Sequence, residues 1–228
     1  MSNKLVIDEQ SLLQEIREKQ PKQPIIIRIL ATIFSYAFHP LFIPSYIVLF
    51  LIYVQPYLYS GLSPWEKLRV FLQAVIIYTF FPLITVLLLR ALRFIDSIFL
   101  KTQRDRIIPF ITSMFYYFWA WYVNLNQHSP HELVYFGLGV FIVSILGLLA
   151  NIYQKVSMHA MAMGIVATFM LLMGFSQAVS FTFYITITLL LTGLVCTSRL
   201  IVSDHTSREI YTGLFIGIIS QLIAYYLA

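Results

Sequence analysis

Residues 179–227 read VSFTFYITITLLLTGLVCTSRLIVSDHTSREIYTGLFIGIISQLIAYYL. Two strongly apolar stretches, 179–198 and 211–227, flank a short polar segment. That segment carries Ser198-Arg199, then His205 after five intervening residues, then Glu209 after three more. Each apolar stretch is close to the roughly 20 residues that a helix needs to cross hydrocarbon. Arginine, histidine and a carboxylate are costly beside lipid, and where they persist they tend to be functional. The same stretch therefore points to both a fold class and a candidate site.

Working outward, the rest of the chain has the same character. Its 228 residues are 59% hydrophobic and only 11% charged, where a soluble domain carries about 25% charged residues. The reading is an all-α, polytopic transmembrane bundle and an integral membrane protein. Continuous apolar runs of this length are too long for barrel strands. The single cysteine, Cys196, excludes an internal disulfide. The net charge of +5 is better read through its distribution across loops than as a nucleic-acid footprint, so no nucleic-acid partner is expected.

Residues 1–24 are polar and lack the apolar core of a secretory signal. They are expected to form a cytosolic tail, with Leu5 to Arg17 as an amphipathic surface helix ended by Pro21 and Pro24. Residues 25–228 form the membrane domain. Its first run, 25–54, is interrupted by His39-Pro40 and Pro44 and predicts one kinked span. Further spans are expected at about 70–90, 107–124, 133–152, 160–175, 179–198 and 211–227, giving six or seven in all. No internal repeat or low-complexity segment is visible.

Two more polar clusters fall where apolar runs end: Lys101-Thr102-Gln103-Arg104-Asp105-Arg106 and Ser157-Met158-His159. Between successive clusters the chain crosses an even number of times, so all three return to one face. That face also holds 13 of the 15 Lys and Arg residues, Lys67 and Arg69 being the exceptions. The positive-inside rule turns it toward the cytoplasm. If the first run is two passes rather than one, the N-terminus and the clusters separate and the orientation reverses.

Ser198-Arg199, His205 and Glu209 resemble the third signature motif of the type 2 phosphatidic acid phosphatase family, which reads Ser-Arg, five residues, His, three residues, Asp. Here Glu209 stands for the aspartate. Val156-Ser157-Met158-His159 resembles the second motif, Pro-Ser-Gly-His, keeping serine and histidine. Lys101 and Pro109 match the first motif, a lysine, six residues, then Arg-Pro, but Ile108 occupies the arginine place. Arg104 and Arg106 are both near enough to replace that charge, and the sequence does not choose between them. The resemblance spans roughly residues 70–228 and implies a phosphatidic acid phosphatase/haloperoxidase-like core. In that resemblance His205 is the nucleophile, Glu209 its orienting partner and His159 the acid–base group. Lys101, Arg104 or Arg106, Ser157, Met158, Ser198 and Arg199 would lie against the phosphate.

The physical chemistry suits that assignment. A phosphate monoester is a dianion whose charge must be held and whose geometry must be fixed. A guanidinium such as Arg199 grips phosphate oxygens bidentately. Backbone amides near Ser157, at the start of a helix, favour an anion. An imidazole can attack phosphorus in line and carry the phosphoryl group covalently. A second imidazole can protonate the leaving alkoxide and then activate water. No metal or other cofactor is required, and no metal-ligand spacing stands out.

The expected substrate is an amphiphilic phosphorylated lipid: a lipid phosphate, a polyprenyl diphosphate or a phosphatidylglycerol phosphate. The expected location is a bacterial inner membrane. Two other functions fit the same residues, a non-catalytic lipid-binding protein on this scaffold and a lipid phosphotransferase. Plainer roles are expected elsewhere. His39-Pro40 reads as a kink, although a polar residue at that depth could line a lipid path. His128, His131 and Glu132 read as a solvated turn on the opposite face, and Asp96 and Asp105 as partners of neighbouring arginines. The run from Phe115 to Tyr122 reads as packing and interfacial belt.

Overall fold

The computed structural model describes residues 4–7, 13–16, 23–100, 102–176, 181–202 and 205–228. Near the N-terminus an amphipathic helix is expected over Leu5 to Arg17, and the described residues there, 4–7 and 13–16, are not helical. Strands β1 (Lys4–Ile7) and β2 (Leu13–Ile16) pair antiparallel instead, with Lys4 opposite Ile16 and Ile7 opposite Leu13. Val6 and Ile7 are β-branched, lose side-chain freedom in a helix, and suit a pleated ribbon.

The membrane domain is helical. Its elements are α1 (Ile25–Ala37), α2 (Ile43–Tyr53), α3 (Pro64–Ala74), α4 (Phe81–Ala91), α5 (Gln103–Asn126), α6 (His131–Tyr153), α7 (Met158–Ser176), α8 (Thr182–Val202) and α9 (Ser207–Leu227). A π-helical turn, Val75–Phe80, joins α3 to α4, so Pro64–Ala91 runs as one 28-residue rod. Among the described residues, five helical stretches are long and apolar enough to cross a membrane: Pro64–Ala91, α6, α7, α8 and α9. Two shorter apolar helices, α1 and α2, accompany them. Helix α5 has the length, 24 residues, but is less apolar because Tyr, Asn, Gln and Thr interrupt it.

The first apolar run is two helices. Pro40 has no N–H to donate and disfavours helical backbone at His39, which ends α1. Pro44 is tolerated because it lies in the first turn of α2. Ser35, near the end of α1, lies at the His159 end of α7. In α2, Phe50 packs on Phe181 and Tyr184 at the start of α8, the other end of the bundle. The broken pair thus reaches the His159 end with the close of α1 and the other end with the close of α2. Thr79 braces it at the break, donating to the Leu41 carbonyl at 2.7 Å and sharing a hydrogen bond with Ser45 at 3.0 Å.

Helices α6 and α7 form the centre. Of the most apolar window in each helix, 67% is buried for α7 against 22% for α8, so α8 is the lipid-facing type. The tightest seam lies between α7 and α9. Gly213, Gly217 and Gly164 let the two backbones touch: a Cβ on Gly217 would stand 2.9 Å from the Ile165 nitrogen and closer still to the Met161 carbonyl oxygen. Gly213 lies over Ser157, Ala160 and Met161, and Gly217 over Met161, Gly164 and Ile165, so the two helices run parallel. Small residues spaced by four are the usual means of close approach in membranes, where lipid tails offer no hydrophobic drive.

Polar side chains staple the remaining helices. Asn151 donates to the Gln103 carbonyl at 2.8 Å and Gln103 donates to the Asn151 carbonyl at 2.7 Å. This reciprocal pair fixes the start of α5 against the end of α6. At the opposite end, fully buried Gln221 donates to the Tyr135 carbonyl at 3.3 Å, tying α9 to α6. The turn holding His128, His131 and Glu132 is also at that opposite end, away from the other polar clusters.

Candidate functional site

One end of the bundle gathers the start of α5, the end of α6, the starts of α7 and α9, the end of α8 and the end of α1. The sequence clusters meet there through backbone bonds. The Ser157 N–H donates to the Glu209 carbonyl at 3.2 Å, joining the segment before α7 to the first turn of α9. Arg106 donates from Nε to the Leu100 carbonyl at 2.8 Å and from a terminal nitrogen to the Val156 carbonyl at 2.5 Å. Its guanidinium therefore ties the start of α5 to the residue preceding Ser157.

Helix α9 begins with Thr206 as its cap, whose hydroxyl accepts the Glu209 N–H at 3.3 Å. That geometry turns the Glu209 side chain back along the first turn. Its Oε2 meets His205 Nδ1 at 2.5 Å, with both side chains almost fully buried. The glutamate side chain is long enough to reach the histidine that precedes the cap. With Nδ1–H donated to the carboxylate, His205 Nε2 is left bare and nucleophilic. Burial lowers the His205 pKa from its ordinary value, and the hydrogen bond to Glu209 opposes that fall without cancelling it.

His159 occupies the first turn of α7, buried, with Nε2 3.1 Å from the Ser35 carbonyl of α1. A carbonyl can only accept, so Nε2 carries a proton and Nδ1 is the nitrogen available for chemistry. The two imidazoles, His159 and His205, lie within electrostatic reach of each other, and Arg199 lies within reach of His159. Arg106 and Lys155 stand within reach of His205. The Ser157 hydroxyl is fully buried and caps α7 by accepting the Ala160 N–H at 3.4 Å.

The remaining sequence candidates are divided by burial. Arg106 is 4% exposed and enters the cluster, whereas Arg104 is on the exposed face of α5. Met158 is half-buried and packs on the hydrophobic core. The buried Ser198 hydroxyl donates to the Leu194 carbonyl at 2.8 Å, an intrahelical bond that leaves it structural in this conformation. Lys101 lies outside the described residues. Asp105, read from the sequence as a partner of nearby arginines, is buried and accepts the Asp96 N–H at 2.9 Å.

Three contributors escaped the sequence reading. Lys155 is simply a lone cation in a connection. Ser35 and His39 come from an apolar run whose histidine reads as part of a kink. The signal for His39 was present, a titratable side chain inside a span, but its depth relative to the clusters depends on how the broken helix folds. Among the described residues no group of three or more His, Cys, Asp or Glu side chains is arranged to hold a metal ion. A cavity of about 30 Å3 lined by Val48, Tyr78, Ala120, Asn124 and Leu133 is at the opposite end of the bundle and has room for about one water.

The arrangement collects two imidazoles, one oriented by a carboxylate, with two guanidiniums and a lysine at the start of two helices. It is suited to holding an anion and transferring a group to nitrogen. No protein-family profile, no curated protein and no solved structure matches this chain.

Proposed function

We propose that this chain is a polytopic membrane phosphatase that hydrolyses a lipid phosphate or polyprenyl diphosphate through a phosphohistidine on His205. The observation that carries the reading is the buried His205–Glu209 pair, which leaves Nε2 bare beside His159, Arg199 and Arg106. In the first step His205 Nε2 forms a bond to phosphorus while the bond from phosphorus to the lipid oxygen breaks. His159, protonated on Nδ1 with its Nε2–H kept on Ser35, gives that proton to the departing oxygen, that of an alkoxide from a lipid phosphate or of a prenyl phosphate from a diphosphate. In the second step His159 takes a proton from water, whose oxygen attacks phosphorus. The P–N bond breaks and inorganic phosphate leaves. Arg199 and Arg106 would balance the charge on the equatorial oxygens throughout.

On this reading α5 and the α1–α2 pair cross the membrane with the five apolar stretches, for seven crossings. The clustered face looks to the cytoplasm, following the 13 of 15 Lys and Arg residues on that side, in a bacterial inner membrane. The test is phosphate release by purified protein, in chelator, from phosphatidate and prenyl diphosphate panels. Turnover abolished by His205→Ala is expected. Turnover unchanged by that substitution would end the mechanism.

A second reading is favoured by the state of two side chains. Arg106 spends N–H groups on two backbone carbonyls, and His159 is held by Ser35. A non-catalytic lipid-binding protein would use them that way. It predicts no turnover on any panel but binding of anionic lipid that falls in Arg199→Gln. A phosphotransferase would differ only in the acceptor, and product analysis distinguishes it.

A further inference from the structure

The loop between α1 and α2 does more than interrupt a helix. It folds tightly over the site: the His39 N–H donates to the Tyr36 carbonyl at 3.3 Å and the Phe42 N–H to the His39 carbonyl at 2.9 Å. The Leu41 N–H donates to His39 Nδ1 at 3.3 Å. Because Nδ1 accepts, the neutral ring carries its proton on Nε2. Among the described residues that Nε2–H has no hydrogen-bond partner, and the ring is half-buried. It stands edge-on to His159, with ring centroids 5.3 Å apart and planes at 82°. Phe42 flanks it at 6.1 Å. Arg199 is within electrostatic reach of His39 as well as of His159. The same segment supplies the Ser35 carbonyl that holds His159.

A histidine serving only as a kink would satisfy its ring within the loop and face lipid. This one lies against the His159 ring, with Arg199 within electrostatic reach. We propose that His39 is a third imidazole of the site, a positioning residue that donates its Nε2–H to an oxygen of the phosphoryl headgroup gripped by Arg199. The proposal rests on the phosphoryl reading of the site, but it concerns binding and does not require turnover. It also gives the broken helix a purpose: the break sets a donor beside His159.

Two substitutions separate the ring's two nitrogens. In His39→Asn the side-chain oxygen can still accept the Leu41 N–H, while the donor at the Nε2 position is lost. In His39→Gln a donor reaches the Nε2 position and the loop bond is lost. The measurement is binding of inorganic phosphate to the full chain in detergent by titration calorimetry, with thermal midpoints as a check on folding. Expected is a loss of about 10- to 100-fold in affinity for His39→Asn, the cost of removing a hydrogen bond to a charged group, and near wild-type affinity for His39→Gln. Weak binding by His39→Gln with full binding by His39→Asn would overturn the proposal, because His39 would then act only on its loop. So would phosphate binding lost in Arg199→Gln and unchanged in both His39 variants, which sinks this inference alone. Wild-type protein that binds no phosphate sinks both this inference and the phosphatase reading. Phosphate binding that depends on His39 without turnover on any lipid panel keeps this inference and removes the catalytic one. If His39→Asn does not fold, the imidazole 15N resonances of the wild type decide: a shift of His39 on phosphate addition supports the donor, and no shift overturns it.

Discussion

Replacing Gly217 by alanine tests the seam on which the site stands. The three atoms nearest a Cβ there are all backbone of α7: the Met161 carbonyl oxygen, the Ile165 nitrogen at 2.9 Å and the Gly164 Cα at 3.0 Å. No flexible side chain can give way, so α9 must withdraw from α7 by about 1 Å, and such overpacking costs about 1–3 kcal/mol. The shift acts on the bond from the Ser157 N–H to the Glu209 carbonyl, already long at 3.2 Å. Losing it adds about 1 kcal/mol. Against this, alanine gains about 1 kcal/mol of helix propensity over glycine. The net destabilisation is then about 1–3 kcal/mol, or roughly 2–10 °C in thermal midpoint for a chain of this size. Gly193→Ala is the matched control, because Gly193 lies in α8 with nothing within 4 Å of its would-be Cβ. There only the propensity gain of up to about 1 kcal/mol remains. The assay is thermal unfolding of both variants in one detergent, followed by tryptophan fluorescence. A Gly217→Ala midpoint at or above wild type, with Gly193→Ala no higher, would refute the close parallel packing of α7 and α9.

Other expectations follow from the site. Because burial lowers the folded-state pKa of His205 below its ordinary 6.5, protonation favours the unfolded chain. The stability that His205 contributes is full above about pH 6.5 and is lost as pH falls through the lowered value. Thermal midpoints measured from pH 7.5 downward should therefore decline on the acid side, and His205→Gln should flatten that decline. A decline as steep in the variant would assign it to other groups. On the proposed phosphatase reading, Glu209→Gln should cut kcat by about 10²–10³-fold, since the amide cannot fix the proton on Nδ1 as the carboxylate does. Glu209→Asp should recover part of that loss in the same phosphate-release assay. Arg106→Ala should destabilise the protein by about 1–3 kcal/mol by orphaning the Leu100 and Val156 carbonyls. Arg104→Ala, on the exposed face of α5, should stay within about 0.5 kcal/mol of wild type in the same melting assay. Asn151→Ala should cost about 1–2 kcal/mol, because the Gln103 carbonyl loses its 2.8 Å donor. An unchanged midpoint would show that the α5–α6 staple adds nothing.

Much of the helical domain can be read directly from residue order. Apolar runs of span length need no partner to be recognised, because backbone in hydrocarbon must bond within its own helix. Where these runs end is also local, fixed by Pro40, by the Thr206 cap and by polar turns. The pairing of His205 with Glu209 is local, because Thr206 caps α9 and its bond from the Glu209 N–H brings the first-turn carboxylate beside the residue preceding the cap. The N-terminal segment was misread because a short polar stretch satisfies helix and strand patterns about equally well.

What residue order cannot supply is distance between elements. Arg104 and Arg106 are equivalent in composition and separated by two positions. Only the packing of α5 on α6 turns one into the cluster and the other outward. His39 and His159 are 120 positions apart in the chain, yet their rings stand 5.3 Å apart because a broken helix leans its end on α7. The glycines that let α9 touch α7 look like any small residues in an apolar run until the facing backbone is present. Local bonding rules are short-ranged and therefore sequence-encoded. Convergence of side chains depends on which helix faces fit together, and that fit exists only in the folded bundle.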